Sequence, residues 1–295
     1  MNNFIEIAFG SKKLDIQSEC KKLYGQNLTR RILQNTGPKT LKVCEDNENS
    51  LTLAISAFTK LKKKNYRINF KNLIFVTENN LRKFPGNSFL FASNLELNEE
   101  INLYDINAGC TGFVDAIKLA DKMKGNTMII CSETYSKNIK KFNRDVSTLF
   151  ADAAIAFYYE KKKFRVVDEL SGFKRNSYNE LSTVKDNLKM DGRKVFNFVR
   201  NKVMPSLKQY LKRKKSNSVK NIYLHQASKV VLRYFKKFID KKYVLPNNLV
   251  KRGNSVSSTI PVLIYDNLKL FNKSIILCGF GVGLSYSIVT LRVKV

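Results

Sequence analysis

The chain has 295 residues, 43% of them hydrophobic, enough apolar material for one large domain or two fused halves and too much for a disordered tail. Lys and Arg number 53 against 24 Asp and Glu, a formal charge of +29, which attracts acidic surfaces such as nucleic acid, anionic lipid or an acidic carrier protein. No stretch approaches the roughly 18 apolar residues of a membrane span, and the start MNNFIEIAFGSKKLDI lacks the basic and long apolar regions of a signal peptide, so a cytoplasmic location with no membrane span is expected.

The basic residues are scattered through KKLYGQNLTRR, KLKKKNYRINFKN, KKFNR, EKKKFR, LKRKKSNSVK and YFKKFIDKK. This reads as solvated faces in a composition-biased chain. No nucleic-acid motif with aromatics interleaved in a basic patch is found, so no nucleic-acid partner is expected. The cysteines Cys20, Cys44, Cys110, Cys131 and Cys278 are widely spaced and contain no C-x-x-C pair. They read as thiols, and no metal site is suggested.

Along the chain, Leu51, Ile55, Phe58 and Leu61 fit one face of a helix with Ser50 as its N-cap. NLIFV (72–76) follows as a strand buried on both faces. Phe113, Ala116, Ile117, Ala120 and Met123 mark a second helix, and TMIIC (127–131) and AAIAFYY (153–159) two more buried strands. The basic, Ser- and Asn-containing stretch around 160–190 is the best linker candidate. Beyond it, Phe196, Val199, Val203, Leu207, Tyr210 and Leu211 mark a third helix that Pro205 should kink or restart. NIYL (221–224), a helix carrying Val231, Tyr234, Phe235 and Phe238, and SIILC (274–278) complete the series. Strands alternating with helices predict an α/β architecture with mainly parallel sheets.

Four segments could carry chemistry. INAGCTGF places Cys110 between a strand, a small-residue turn and a helix, the layout of a nucleophile elbow, where free N–H groups and the helix dipole favour a thiolate. Read alone, it fits a packed cysteine equally well. His225, the only histidine, follows a strand in NIYLHQAS, at the end where α/β sites collect. Asn254 lies in VKRGNSVSSTIP, which by itself reads as a loop with a helix cap. The tail ILCGFGVGLSYSIVTLRV is a strand, a turn with Gly279, Gly281 and Gly283, and a second strand. The turn permits close backbone approach but lacks the following helix of a dinucleotide site.

Taken together, these segments resemble the β-ketoacyl-acyl-carrier-protein synthase III family of thiolase-fold condensing enzymes. DINAGCTGF is similar to its nucleophile motif, LHQAS to HQAN, RGNSVSSTIP to GNTSAASIP, and CGFGVGLSY to the closing glycine loop. Weaker echoes lie at TGPK (36–39), FPGNSF (84–89), NRDVSTLFADAA (143–154) and MDGRKVFNFVR (190–200), so the likeness runs through nearly the whole chain in order.

The resemblance implies a five-layer αβαβα fold of two fused similar halves, 1–160 with the cysteine and 161–295 with the histidine and asparagine, working as a homodimer. It implies that Cys110 is acylated, that His225 and Asn254 serve the second substrate, malonyl-acyl carrier protein, and that the Cys110 and Val282 backbone N–H groups form an oxyanion hole. Arg31, Arg144, Lys229, Arg233, Phe84 and Gly281 fall at substrate- or carrier-binding positions, with Phe84 and Pro85 near the acyl pocket or dimer contact. No cofactor is implied; coenzyme A or acyl-carrier-protein thioesters are the substrates.

Departures from the pattern accompany the likeness. The family often stacks a tryptophan on coenzyme A; this chain has none, and Arg31 stands in that place. Val230 replaces a carrier-docking arginine, with Lys229 and Arg233 close by, GDGAGA has become Ala151 to Ala156, and Val282 replaces a glycine. These changes suggest a diverged acyl pocket in a specialised pathway. Within the fold, transfer of the Cys-bound acyl group to a hydroxyl or amine is the alternative, which Cys110 and His225 also serve. Papain-like proteases share the order Cys, His, Asn, but their C-G-[SA]-C-[WY] context is absent. A binding protein on a dead scaffold predicts loss of Cys110, His225 or Asn254, and all three are present.

Overall fold

The structure is a computed structural model and describes residues 3–139, 142–185, 187–213 and 219–294. The lysines at 140, 141, 214 and 215, from two of the basic runs, lie outside the described residues.

The first sheet has five strands. Its order is β1 (Ile5–Phe9), β7 (Ala153–Tyr159), β6 (Thr127–Glu133), β4 (Asn72–Val76) and β5 (Asn102–Ile106). The second has four: β11 (Asn221–Leu224), β12 (Ser274–Gly281), β13 (Ser285–Val293) and β8 (Phe164–Phe173). Small antiparallel pairs β2 (Lys12–Asp15) with β3 (Thr40–Val43), and β9 (Leu181–Val184) with β10 (Asn187–Met190), lie outside them.

The expectation of mainly parallel sheets is corrected. β4 runs parallel to β5 and β6, and β11 to β12, but β7 is antiparallel to both its neighbours, as is β13. The short glycine turn between β12 and β13 permits only antiparallel return, whereas parallel strands need a long crossover.

The period-2 geometry of β4 shows how the layers are built. Leu73 and Phe75 face one way, against Leu53, Ala57, Phe58 and Leu61 of α2 (Ser50–Lys64) and Phe91 of α3 (Asn87–Asn94). Ile74 and Val76 face the other way, into a middle layer made by Phe113, Ala116 and Ile117 of α4 (Gly112–Lys122) and Ile260, Leu263 and Ile264 of α9 (Thr259–Asp266). Ile275, Leu277 and Val289 of the second sheet close that layer from the far side. The opposite face, with Ile276, Cys278 and Ile288, packs on Val203, Leu207 and Tyr210 of the α5 (Gly192–Phe198) and α6 (Met204–Leu211) region and on Val231 and Phe235 of α7 (Lys229–Phe238). Helix, sheet, helix, sheet and helix thus form five layers.

Two local expectations change, the cap of α2 and the linker around 160–190, and the helix restarts at Pro205 as expected. Asn49, not Ser50, caps α2: its side chain accepts from Leu51 N and Thr52 N at 2.9 and 3.0 Å. Ser50 is buried and donates to the Asn79 carbonyl at 2.6 Å. Between α5 and α6 a π-helical turn, Val199–Val203, absorbs the missing N–H of Pro205, which sits in the first turn of α6.

The supposed linker around 160–190 holds β8, β9 and β10. β8 is an edge strand paired only with β13, so charged residues such as Arg165 and Glu169 reach solvent. The helix α1 (Ile16–Thr36) was not foreseen: Gly25, at φ 69°, breaks its period, and only Ile16, Cys20, Thr29 and Ile32 are buried. Among the described residues no helix is long and apolar enough to cross a membrane. All five cysteines are buried and free.

Candidate active site

β5 ends at Ile106, and the chain turns through Gly109 at φ 44° into a 3-10 turn, Gly109–Thr111, that leads into α4. Cys110 sits on this turn, 4% exposed. The glycine loop between β12 and β13 presses against it. A Cβ on Gly281 would lie 2.6 Å from Cys110 Sγ, and one on Gly279 would lie 2.7 Å from the Cys110 carbonyl oxygen. The close approach that these glycines permit is therefore to the cysteine itself.

The backbone N–H groups of Val282 and Cys110 favour the anionic sulfur, as expected for an elbow. Burial outweighs them, and with Glu133 and Glu78 nearby the thiol is pushed up to about 12. The expectation of a resting thiolate is thus corrected: local N–H groups were legible, desolvation by the surrounding layers was not.

His225 directly follows β11, and its N–H donates to the Cys278 carbonyl at 2.9 Å. It is 1% exposed, and burial pulls its imidazole down to about 3, so the ring is neutral. Nδ1 lies 2.6 Å from Thr259 Oγ1, which is also 2.9 Å from the Val256 carbonyl. Phe280 meets the ring edge-on at 5.4 Å. These contacts fix the imidazole and leave Nε2 as its available nitrogen.

Asn254 is held at both ends of its amide. Val256 N donates to Oδ1 at 2.9 Å, and Nδ2 donates to the Ala227 carbonyl at 3.2 Å. Among the described residues one Nδ2 hydrogen stays uncommitted. Val256 adopts φ 52°, an uncommon conformation for a β-branched residue. The Asn254 backbone is stitched to Leu149 and Ala151 by bonds of 2.9 and 2.8 Å. The cap-like reading of this loop and the site reading therefore describe the same amide.

Cys110, His225 and Asn254 come together as walls of one cavity of about 440 Å³. Gly281 is a fourth wall. Arg144 lines it as well, beside Asp145 at 3.7 Å. Four other expected positions lie elsewhere. Arg31 is exposed on α1 and outside the cavity lining, though Asn35 and Thr36, one turn on, belong to it. Lys229 lines an adjoining cavity of about 410 Å³ with Lys21, Arg30 and Lys39. Arg233 donates to the Gln34 carbonyl at 2.8 Å, tying α7 to α1. Phe84 is 79% exposed, away from the cavity.

Sequence reasoning missed Thr259, Phe280, Arg193 and Phe196, which hold the histidine or line the cavity. It also missed Leu181 and Met190, which reach the cavity from the β9–β10 hairpin, the stretch read as linker. No group of His, Cys, Asp or Glu among the described residues is arranged to hold a metal ion.

The fold is shared with a solved 3-oxoacyl-(acyl-carrier protein) synthase from Burkholderia xenovorans, with TM-score 0.88 and 22% identity over 99% of this chain and 93% of that one. This is the thiolase-like class of condensing-enzyme folds. The profile of the 3-oxoacyl-[acyl-carrier-protein] synthase III family matches residues 104–171, the segment around Cys110. A β-ketoacyl-[acyl-carrier-protein] synthase III of Streptococcus agalactiae is 30% identical over 220 residues, 64% of this chain and 68% of the relative. One from Clostridium botulinum is 28% identical over 323 aligned positions, gaps included, which cover 97% of this chain and 93% of the relative. The chain belongs to the β-ketoacyl-acyl-carrier-protein synthase III family as a diverged member.

Proposed function

We propose that the protein condenses an acyl thioester with malonyl-acyl carrier protein, through an acyl group held on Cys110, to give a β-ketoacyl thioester and CO2. The observation that carries this reading is the convergence of Cys110, His225 and Asn254 on one cavity, with the Asn254 amide fixed so that one N–H remains for a ligand.

In the first half-reaction the Cys110 sulfur attacks the donor carbonyl, the oxyanion is met by the N–H groups of Cys110 and Val282, and the donor thiol leaves with the proton Cys110 has lost. In the second, loss of CO2 from the malonyl group leaves an enolate. The Thr259 hydroxyl donates to the Val256 carbonyl at 2.9 Å; turned instead onto His225 Nδ1, 2.6 Å away, it would place the ring proton on Nε2, and Nε2–H and the remaining Asn254 N–H would then serve the enolate oxygen. The enolate carbon attacks the acyl-cysteine carbonyl, and the Cys110 thiolate leaves. A neutral histidine suits this work, because it donates without adding a proton to the carbanion.

Lys229 and Arg233 on α7, with Arg144 at the cavity, favour an acidic carrier protein as partner, and the +29 charge assists its encounter. A coenzyme A thioester remains a candidate donor. A homodimer would bury the open edge of β5 together with the exposed Leu81, Phe84, Phe89 and Tyr104. The 1–160 and 161–295 halves would each bring one sheet to the common site.

The test is to incubate the protein with acyl donors from acetyl to medium chain, then with malonyl-acyl carrier protein. Mass spectrometry should find an acyl adduct on the Cys110 peptide, followed by β-ketoacyl carrier. An adduct discharged only by an amine or hydroxyl acceptor, without CO2, assigns the protein to acyl transfer instead.

A further inference from the structure

His225 and Asn254 stand on separate loops, and loss of CO2 needs their two N–H groups to serve one oxygen atom. Asn254 Nδ2 ties the loops directly, donating to the Ala227 carbonyl at 3.2 Å. A longer connection runs behind them, and no step of the chemistry uses it. Gln226, wholly buried beside His225, donates from Nε2 to the Leu224 carbonyl at 2.8 Å and accepts at Oε1 from Asn248 N at 3.2 Å. Asn248 Nδ2 donates to Asp266 Oδ2 at 2.8 Å. Asp266 in turn takes both prongs of Arg252: Nε donates to Oδ2 at 2.9 Å and Nη2 to Oδ1 at 2.6 Å.

Asp266 sits where both donors can be reached. It ends α9, whose first residue, Thr259, has its hydroxyl 2.6 Å from His225 Nδ1. Its partner Arg252 ends α8 (Leu249–Arg252), and only Gly253 separates that helix from Asn254. The Asn248 carbonyl accepts from Lys251 N and Arg252 N at 3.0 and 2.9 Å, so Asn248 holds the start of the α8 turn while Arg252 holds its end. A carboxylate–guanidinium fork fixes distance and plane together, which a lysine does not. The Arg252 guanidinium also lies 4.7 Å from the centre of the Phe9 ring, and the pair is largely buried, with side chains 24% and 11% exposed. Neither Arg252 nor Asp266 lines the cavity.

We propose that Asp266 is a positioning residue of the decarboxylation step: through Arg252 and Asn248 it sets the α8 turn that presents Asn254, and through Gln226 and α9 it holds the surroundings of His225. This rests on the condensing reading above and deepens it, because it assigns the relative aim of the two oxyanion donors to an ion pair outside the cavity. The Cys110 elbow and the Val282 loop take part in none of these bonds, so acylation of the cysteine does not depend on them.

The experiment measures the two half-reactions separately in the full-length protein. Intact mass reads Cys110 acylation, and a single turnover of the acyl-enzyme with carboxyl-labelled malonyl-acyl carrier protein reads CO2 release. Asp266→Asn and Arg252→Lys keep approximate size and lose the charged fork. Each should slow CO2 release about tenfold or more and leave acylation within about twofold of wild type. Asn248→Ala leaves the ion pair in place and should give the same split on a smaller scale, so the outcome does not hang on one variant folding. The ring signal of His225 should shift by NMR in Asp266→Asn. Arg213→Lys, which disturbs a comparable pair with Asp168 on β8, is the control and should keep both rates. Acylation and CO2 release falling together, or CO2 release at the wild-type rate in the folded variants, would overturn the proposal and leave the condensing reading intact. A wild-type protein that acylates Cys110 yet releases no CO2 removes the condensing reading, and this proposal with it.

Discussion

Replacing Gly281 with alanine tests how the glycine loop serves the cysteine. The new Cβ would stand 2.6 Å from Cys110 Sγ and 2.8 Å from its Cβ, about 1 Å inside the usual 3.5–4.0 Å contact of heavy atoms. Neither side yields easily, because Gly281 holds φ 153°, a region that side chains avoid. Overpacking of this kind costs roughly 1–3 kcal/mol, a fall in Tm of about 2–4 °C for each kcal/mol in a large domain. The catalytic loss should be larger than the stability loss. Relief of the clash moves the loop that carries the Val282 N–H by about 1 Å, and a misplacement of that size can cost on the order of 10² in rate. The assay pairs a thermal melt with the acylation rate of Cys110 by intact mass. A Gly281→Ala protein that melts lower yet acylates at the wild-type rate would refute the reasoning, since the loop would then not position the reacting group.

Further outcomes follow from the same geometry. His225→Ala or Asn254→Ala should each slow CO2 release from malonyl carrier by roughly 10²–10³, as expected for one oxyanion donor, with a smaller effect on Cys110 acylation; equal losses in both steps would contradict their assignment to the second. Thr259→Val should slow CO2 release with little change in KM for the acyl donor, and a wild-type rate would remove Thr259 from the positioning of His225. Alkylation of Cys110 by iodoacetamide should rise about tenfold per pH unit from pH 7 to 9, because a thiol at about 12 is far from ionised there; a plateau within that window would contradict the buried thiol. The His225 ring, at about 3 when folded against 6.5 for the free side chain, takes up its proton more readily in the unfolded chain. Its contribution to stability is therefore present above pH 6.5 and is lost as the pH falls toward 3. The chain's one histidine makes this visible by NMR: its ring signal should not titrate between pH 5 and 8, and a midpoint near 6.5 would contradict the burial.

Legibility in the sequence followed the physics of burial. NLIFV, TMIIC and AAIAFYY are covered on both faces, so their apolar runs stood out and each is a central strand. β8 carries FRVVDELSGF on a sheet edge, and its exposed charges made it read as linker. The order Cys110, His225, Asn254 was readable because each lies in a motif with its own turn or cap. Glu78, just beyond β4, and Glu133, at the end of β6, share no motif spacing with Cys110: two separate segments bring them to it only in the folded chain. Likewise, the elbow's N–H groups were evident from INAGCTGF, but the desolvation that keeps Cys110 a thiol comes from layers distant in sequence.

The most direct test of the account is a single turnover. The protein is first acylated and freed of donor, then mixed with malonyl-acyl carrier protein labelled in its free carboxyl, while intact mass follows the Cys110 adduct. One labelled CO2 should be released for each acyl group lost from Cys110, with β-ketoacyl carrier formed in the same amount. Loss of the adduct without labelled CO2, or CO2 release by a Cys110→Ala protein coupled to product formation, would contradict it.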